Sequence, residues 1–70
     1  MTYRDLLMKY IGAKCEFHGE NSGVTIIIDD EKKDRIVDVG DDYVVIESQG
    51  VYPFTVYPIA NISLILPKWK

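Results

Sequence analysis

After Gly12 the chain has no stretch long enough for a helix that could carry it from one strand to a parallel neighbour. It has instead a succession of short runs rich in β-branched and aromatic residues: Ala13–His18, Val24–Ile28, Arg35–Val39, Tyr43–Glu47, Val51–Tyr57 and Ile62–Leu66. Turn-forming stretches separate them, among them Gly19-Glu20-Asn21-Ser22-Gly23, Asp29–Asp34, Gly40-Asp41-Asp42 and Ser48-Gln49-Gly50. Strands joined without helical crossovers pair largely antiparallel. Short strands on tight turns curl. The expected architecture is therefore mainly β, a small, strongly bent, five- or six-stranded antiparallel barrel. Whether Ala13–His18 is an extra strand or part of the barrel stays open at this level.

Residues 2–11 follow a different period. Tyr3, Leu6, Leu7 and Tyr10 recur at helical spacing, and Ile11 widens the stripe. Thr2 with Asp5 three residues later is a form of the capping box, and Gly12 suits the exit. One amphipathic helix is expected to precede the strands.

Seventy residues make one domain, 1–70, and a domain of this size buries only about 60% of the surface its unfolded chain exposes. Small domains compensate with disulfides, a metal or self-association. Cys15 and His18 are the only cysteine and histidine, so neither an internal disulfide nor a Cys/His zinc site is available. Cys15 and His18 also stand three apart in a strand, which sends them to opposite faces. The runs Val24–Ile28, Tyr43–Ile46 and Ile62–Leu66 are apolar on both alternating sets and need cover on both sides. One short helix cannot supply it. A homo-oligomer joined through strand edges is the expected partner arrangement, with Val56, Tyr57, Ile62, Leu64 and Ile65 as interface residues.

The formal net charge is −3, unevenly spread. Residues 1–14 hold Arg4, Lys9 and Lys14 against Asp5, a balance of +2; residues 29–42 hold seven acids against three bases, a balance of −4. Lys68 and Lys70 add charge to the tail. An acidic whole argues against a broad phosphate-binding surface, though the termini could form a small basic patch. Asp29, Asp30, Glu31 and Asp34 lack the spacing of a calcium loop and read as a solvated hairpin tip, so no metal or other cofactor is expected. The chain shows no nucleophile beside a base, no glycine-rich phosphate loop and no framed carboxylate pair. It reads as non-enzymatic. The N-terminus MTYRDLLMKYIG lacks a long apolar core, which points to no membrane partner and a cytoplasmic protein.

Two segments resemble a known family. Ile36-Val37-Asp38-Val39-Gly40-Asp41-Asp42-Tyr43-Val44-Val45-Ile46 is similar to the first Sm motif, in which an apolar strand ends in an Asp-x-aromatic step and a second apolar strand follows. Val56-Tyr57-Pro58-Ile59-Ala60-Asn61-Ile62-Ser63 resembles the second motif in its bacterial, Hfq-like form. With Val24–Ile28 and the hairpin after it, the resemblance to the Sm/LSm family covers roughly residues 24–66. It implies an SH3-like/Sm-like barrel that assembles into a ring and binds RNA. Pro58-Ile59 stands where the Hfq-like pattern has Lys-His, and Val45 where eukaryotic Sm proteins have Asn. RNA contact would then fall to Tyr43 and Tyr57 for stacking, with Arg4, Lys9 and Lys14 for phosphates. The alternative is a structural or protein-interaction barrel with no nucleic-acid ligand, in which Tyr43, Tyr52, Phe54 and Tyr57 serve packing or interfaces.

Overall fold

The computed structural model describes residues 2–20 and 23–68. Asn21 and Ser22 of the expected first hairpin turn, and Lys70 of the tail, lie outside them. A helix, α1 (Tyr3–Met8), is followed by β1 (Lys14–Glu20), β2 (Gly23–Ile28), β3 (Asp34–Val39), β4 (Tyr43–Glu47), β5 (Phe54–Pro58), a 3-10 turn at Ile59–Asn61, and β6 (Ile62–Ile65).

The capping box forms as expected. Asp5 N–H donates to Thr2 Oγ1 at 3.1 Å, and Thr2 N–H donates to Asp5 Oδ2 at 3.1 Å. The helix is shorter than residues 2–11. Past Met8 the bonds tighten to three-residue steps, with Lys9, Tyr10 and Ile11 N–H donating to Leu6, Leu7 and Met8 oxygens. Gly12, at φ +91°, then turns the chain so that its N–H meets Ile36 O. Leu7 is the helix's fully buried anchor; Ile11 is 43% exposed and does not extend the core-facing stripe.

All six strands lie in one sheet, in the order β5-β4-β3-β1-β2-β6. The segment Ala13–His18 is thus neither extra nor peripheral: β1 sits inside the sheet, paired to both β2 and β3. Four of the five ladders are antiparallel, as expected, but β2 and β6 run parallel, with Val24 beside Ile62 and Ile26 beside Leu64. A parallel pair needs a long connection between its strands, not specifically a helix. Here β3, β4 and β5 are that connection. Gly23 lets the junction close, because a Cβ there would lie 2.7 Å from Asn61 O.

The sheet is open, with no ladder joining β5 to β6 among the described residues. It must nevertheless curl. Laid flat, its outermost strands would stand roughly 24 Å apart at about 4.8 Å per strand. The chain passes from Pro58 to Ile62 through only three residues, a reach of about 14 Å at most. A register shift between Ile36 and Asp38 bends β3 and helps that curvature.

Curling gives the sheet an inside and an outside. Cys15, Val24, Ile26, Ile28, Ile36, Val39, Val44, Ile46 and Ile62 are buried inside with Leu7. The outside is not covered: Thr25, Ile27, Val37 and Val45 are half-buried, while Val56 and Ile65 are exposed. Among the described residues, the apolar side chains on the second face of the strands are therefore covered only in part. At the helix end, Arg4 Nε–H donates to Gly40 O at 2.9 Å and Tyr3 O–H donates to Ile62 O at 2.8 Å. These two bonds tie α1 to the β3–β4 turn and to β6.

Candidate functional site

The alternation of ladder bonds fixes which main-chain groups face outward at each end of the sheet. Ile59 N–H donates to Asp42 O, and Ser48 N–H donates to Pro53 O. These bonds bracket the β4–β5 ladder in the register Val44–Tyr57 and Ile46–Thr55. Hydrogen-bonded and non-bonded pairs alternate in antiparallel ladders, so Thr55 and Tyr57 spend their N–H and C=O groups on β4. Phe54 and Val56 point theirs away from the sheet.

The same reasoning applies at β6. Asp29 N–H donates to Lys14 O, which assigns the outward-face residues of β2 to bonding with β1. Val24, Ile26 and Ile28 then bond toward β6, and Ser63 and Ile65 of β6 answer them. Ile62 and Leu64 are left with main-chain groups directed away from β2. The Tyr3 hydroxyl on Ile62 O is consistent with this. Among the described residues both edges thus direct main-chain groups outside any ladder, Ile62 O alone of these accepting a side-chain donor, and exposed apolar side chains flank them: Phe54 at 58%, Val56 at 61% and Ile65 at 49%. An open cavity of about 520 Å³ is lined by Ile27, Ile28, Ile65, Leu66 and Pro67 together with Asp29, Asp30 and Glu31.

The residues expected at an assembly interface, Val56, Tyr57, Ile62, Leu64 and Ile65, all fall on these two edge strands. They do not share a face. Val56 and Ile65 are outside, whereas Ile62 is buried and Tyr57 and Leu64 pack against the core.

The residues expected to contact RNA are not brought together. Tyr43 opposes Pro58, and Val44 opposes Tyr57, so the two tyrosines project to opposite faces. Tyr57 lies inside against Phe17, ring centroids 5.7 Å apart at 59°. Tyr43 lies outside with its ring over Gly40, where no Cβ would fit. Arg4 is engaged by Gly40 O, by Asp41 at 3.5 Å and by Asp5 at 3.9 Å. Lys9 is exposed on the turn after α1, and Lys14 is on the outer face of β1. Cys15 is fully buried and His18 is exposed, beside Glu16 at 3.6 Å. Burial, and secondarily the Asp34 carboxylate, pushes the Cys15 thiol up to about 11, which leaves it protonated and inert near neutral pH.

Sequence reasoning missed a polar recess formed by Lys33, Arg35, Glu47, Ser48 and Gln49, about 290 Å³ in volume. Its signal was invisible without strand order, because Lys33 lies in the acidic turn Asp29–Asp34, Arg35 opens one strand run and Glu47 closes another. The chain matches no known family model, no curated protein and no solved structure. Among the described residues no helix is long and apolar enough to cross a membrane.

Proposed function

We propose that this chain is a non-catalytic, LSm-like assembly module whose copies join head to tail, β5 of one to β6 of the next, in a closed ring. The observation that carries the reading is a complementarity the chain cannot satisfy by itself. Following the ladders from β5 to β6, the two edges run in the same direction. Outward groups belong to outside residues on β5 (Phe54, Val56) and to inside residues on β6 (Ile62, Leu64). That combination mates only in a parallel ladder, where a residue bonds to the two residues flanking its neighbour.

A parallel pair joined directly by three residues is sterically impossible, since such connections need about a dozen. A second copy has no such tether. Laying Thr55–Pro58 along Ile62–Ile65 of the next copy keeps inside residues with inside and outside with outside. Val56 N–H then meets Ile62 O of that copy, and Leu64 N–H of that copy meets Val56 O. Val56 sits beside Ser63, and Pro58 beside Ile65. Each joint adds strand pairing, as in other strand-addition interfaces, and shields apolar flanks at about 25 cal/mol per Å². Such a head-to-tail joint closes when its rotation permits.

A protein-interaction role is favoured over RNA binding by the packing of Tyr57 against the core and the commitment of Arg4 to Gly40 and Asp41. Light scattering coupled to size exclusion tests the assembly directly. A discrete oligomer at tens of micromolar is expected, and a well-folded monomer at that concentration overturns the proposal. Anisotropy titrations with oligo-U and oligo-A, at low and physiological salt, test the RNA reading; micromolar binding would restore it.

A further inference from the structure

Lys14 on β1 stands directly opposite Arg35 on β3. Their neighbours Cys15 and Ile36 are buried, so both cations project to the outside of the sheet. Ile36 N–H donates to Ala13 O, and Lys14 O accepts from Asp29 on the other side. Lys14 and Arg35 are therefore a non-hydrogen-bonded pair, the kind in which side chains approach most closely. Like charges in that position destabilise a sheet. In a chain of net charge −3, two cations are placed where each raises the cost of the other.

Two further features lie on the same spot. Lys33 joins Arg35 in the recess closed by Glu47, Ser48 and Gln49. Among the described residues the ion pairs are made by Arg4, His18 and Lys32; Lys14, Lys33 and Arg35 enter none. Asp29, opposite Lys14 in the continued β1–β2 register, and Glu47, opposite Arg35, offset part of the charge, leaving three cations against two carboxylates. The next residue in that row is Phe54, exposed, two strands from Arg35 and so roughly 10 Å away.

We propose that the outer face at Lys14, Lys33 and Arg35, with Ser48 and Gln49 as neutral donors, is a binding site for a phosphate dianion. A dianion converts the repulsive pair into two attractions, and the planar guanidinium of Arg35 offers a fork that matches phosphate oxygens. The phosphate could be free or borne by a mononucleotide, in which case Phe54 lies within reach of the base. The site belongs to a single chain and is independent of the ring.

The test is a titration of ¹⁵N-labelled protein with sodium phosphate at constant ionic strength maintained by chloride, followed by amide shifts and thermal melts. The expected result is a saturable change confined to Lys14, Lys33, Arg35, Ser48 and Gln49. At about ten times its Kd, phosphate should raise the folding equilibrium constant about tenfold. Arg35→Gln should weaken phosphate at least tenfold while being more stable than the parent in chloride alone, because the like-charge pair is gone. That opposite response separates a site from a damaged fold; Lys9→Gln, away from the recess, should change neither. Adenosine monophosphate in parallel distinguishes the sources: tighter binding with shifts reaching Phe54 assigns a nucleotide, and equal affinity assigns free phosphate. Shifts that never saturate, or an affinity within twofold of the parent in Arg35→Gln, overturn the proposal.

Discussion

The two edge strands differ in how the rest of the molecule holds them. β6 begins with Ile62, buried in the core, pairs along its length with β2, and accepts the Tyr3 hydroxyl. Gly23 lets Asn61 pack against its entry. β5 has no buried residue at all: its pattern runs from exposed to half-buried and back. Its attachments are the β4 ladder and Tyr57 against Phe17. One edge is built into the fold, and the other is laid on it. Each edge strand is held by a single ladder, but β5 has the fewer attachments beyond it, so in the proposed ring β5 would be the edge that gains most from a second ladder.

The sharpest way to break this comparison is to truncate one apolar residue on each strand. Ile62→Ala opens a cavity in the core and should cost about 2–5 kcal/mol of folding stability in urea denaturation. Val56→Ala, on an exposed side chain, should stay within about 0.5 kcal/mol under conditions where the protein is monomeric. Similar losses at both sites would mean that β5 is as deeply integrated as β6.

Proline separates edge function from folding on β5 itself. Val56 N–H points away from β4, so Val56→Pro removes an outward donor and leaves the β4–β5 ladder intact. Thr55→Pro, one residue earlier, removes a ladder bond. Light scattering should find Val56→Pro monomeric with its circular-dichroism melt close to that of Val56→Ala. Thr55→Pro should lower the melting temperature by several degrees, on the order of 1 kcal/mol for the lost bond before any strain. An assembled Val56→Pro would exclude β5 as the joining edge.

How much of this was legible in the sequence varies with the kind of information required. The capping box at Thr2 and Asp5, the run Tyr43–Glu47 and the β-branched run before the acidic turn are local signals, and they mark elements that form. Val51–Tyr57 shortened to Phe54–Pro58 because Ser48 N–H closes on Pro53 O, making the preceding residues loop. The parallel β2–β6 pair was not legible, since it depends on the curl of three intervening strands. Neither was the separation of Tyr43 from Tyr57. Their residue types suggested a common stacking role, but only ladder register decides faces, and it sends one inward. Lys14 and Arg35 make the same point from the other side: residues in unrelated sequence contexts became neighbours once β1 inserted beside β3.

A pH measurement sharpens the comparison between the core and its open flanks. Cys15 is held protonated by burial, its pKa pushed up to about 11 from an ordinary 9.0. Between those values the unfolded chain has released the proton and the folded chain retains it. Stability is therefore full below about pH 9 and falls as pH rises toward 11, with a slope of at most one proton, about 1.4 kcal/mol per pH unit. Cys15→Val should flatten that alkaline limb in urea melts at pH 8, 9 and 10. A limb unchanged in the variant would assign the loss to other groups.

The smallest effect concerns the side-chain bond that distinguishes β6 from β5. Tyr3 O–H donates to Ile62 O, the carbonyl that Val56 of another copy would also use. A carbonyl oxygen has two lone pairs, so both donors can be accommodated, but they share one acceptor. Burial raises the Tyr3 pKa, which keeps the hydroxyl a donor well into alkaline solution. Tyr3→Phe should cost the fold about 0.5–1.5 kcal/mol, the ordinary worth of such a bond. The same change leaves Ile62 O undivided for the incoming Val56 N–H. The assembly midpoint, read by light scattering across a dilution series, should then move to lower concentration by less than about tenfold, opposite in sign to the folding effect. If Tyr3→Phe weakens folding and assembly together, the hydroxyl orients the β6 edge rather than competing for it, and the helix belongs to the joint.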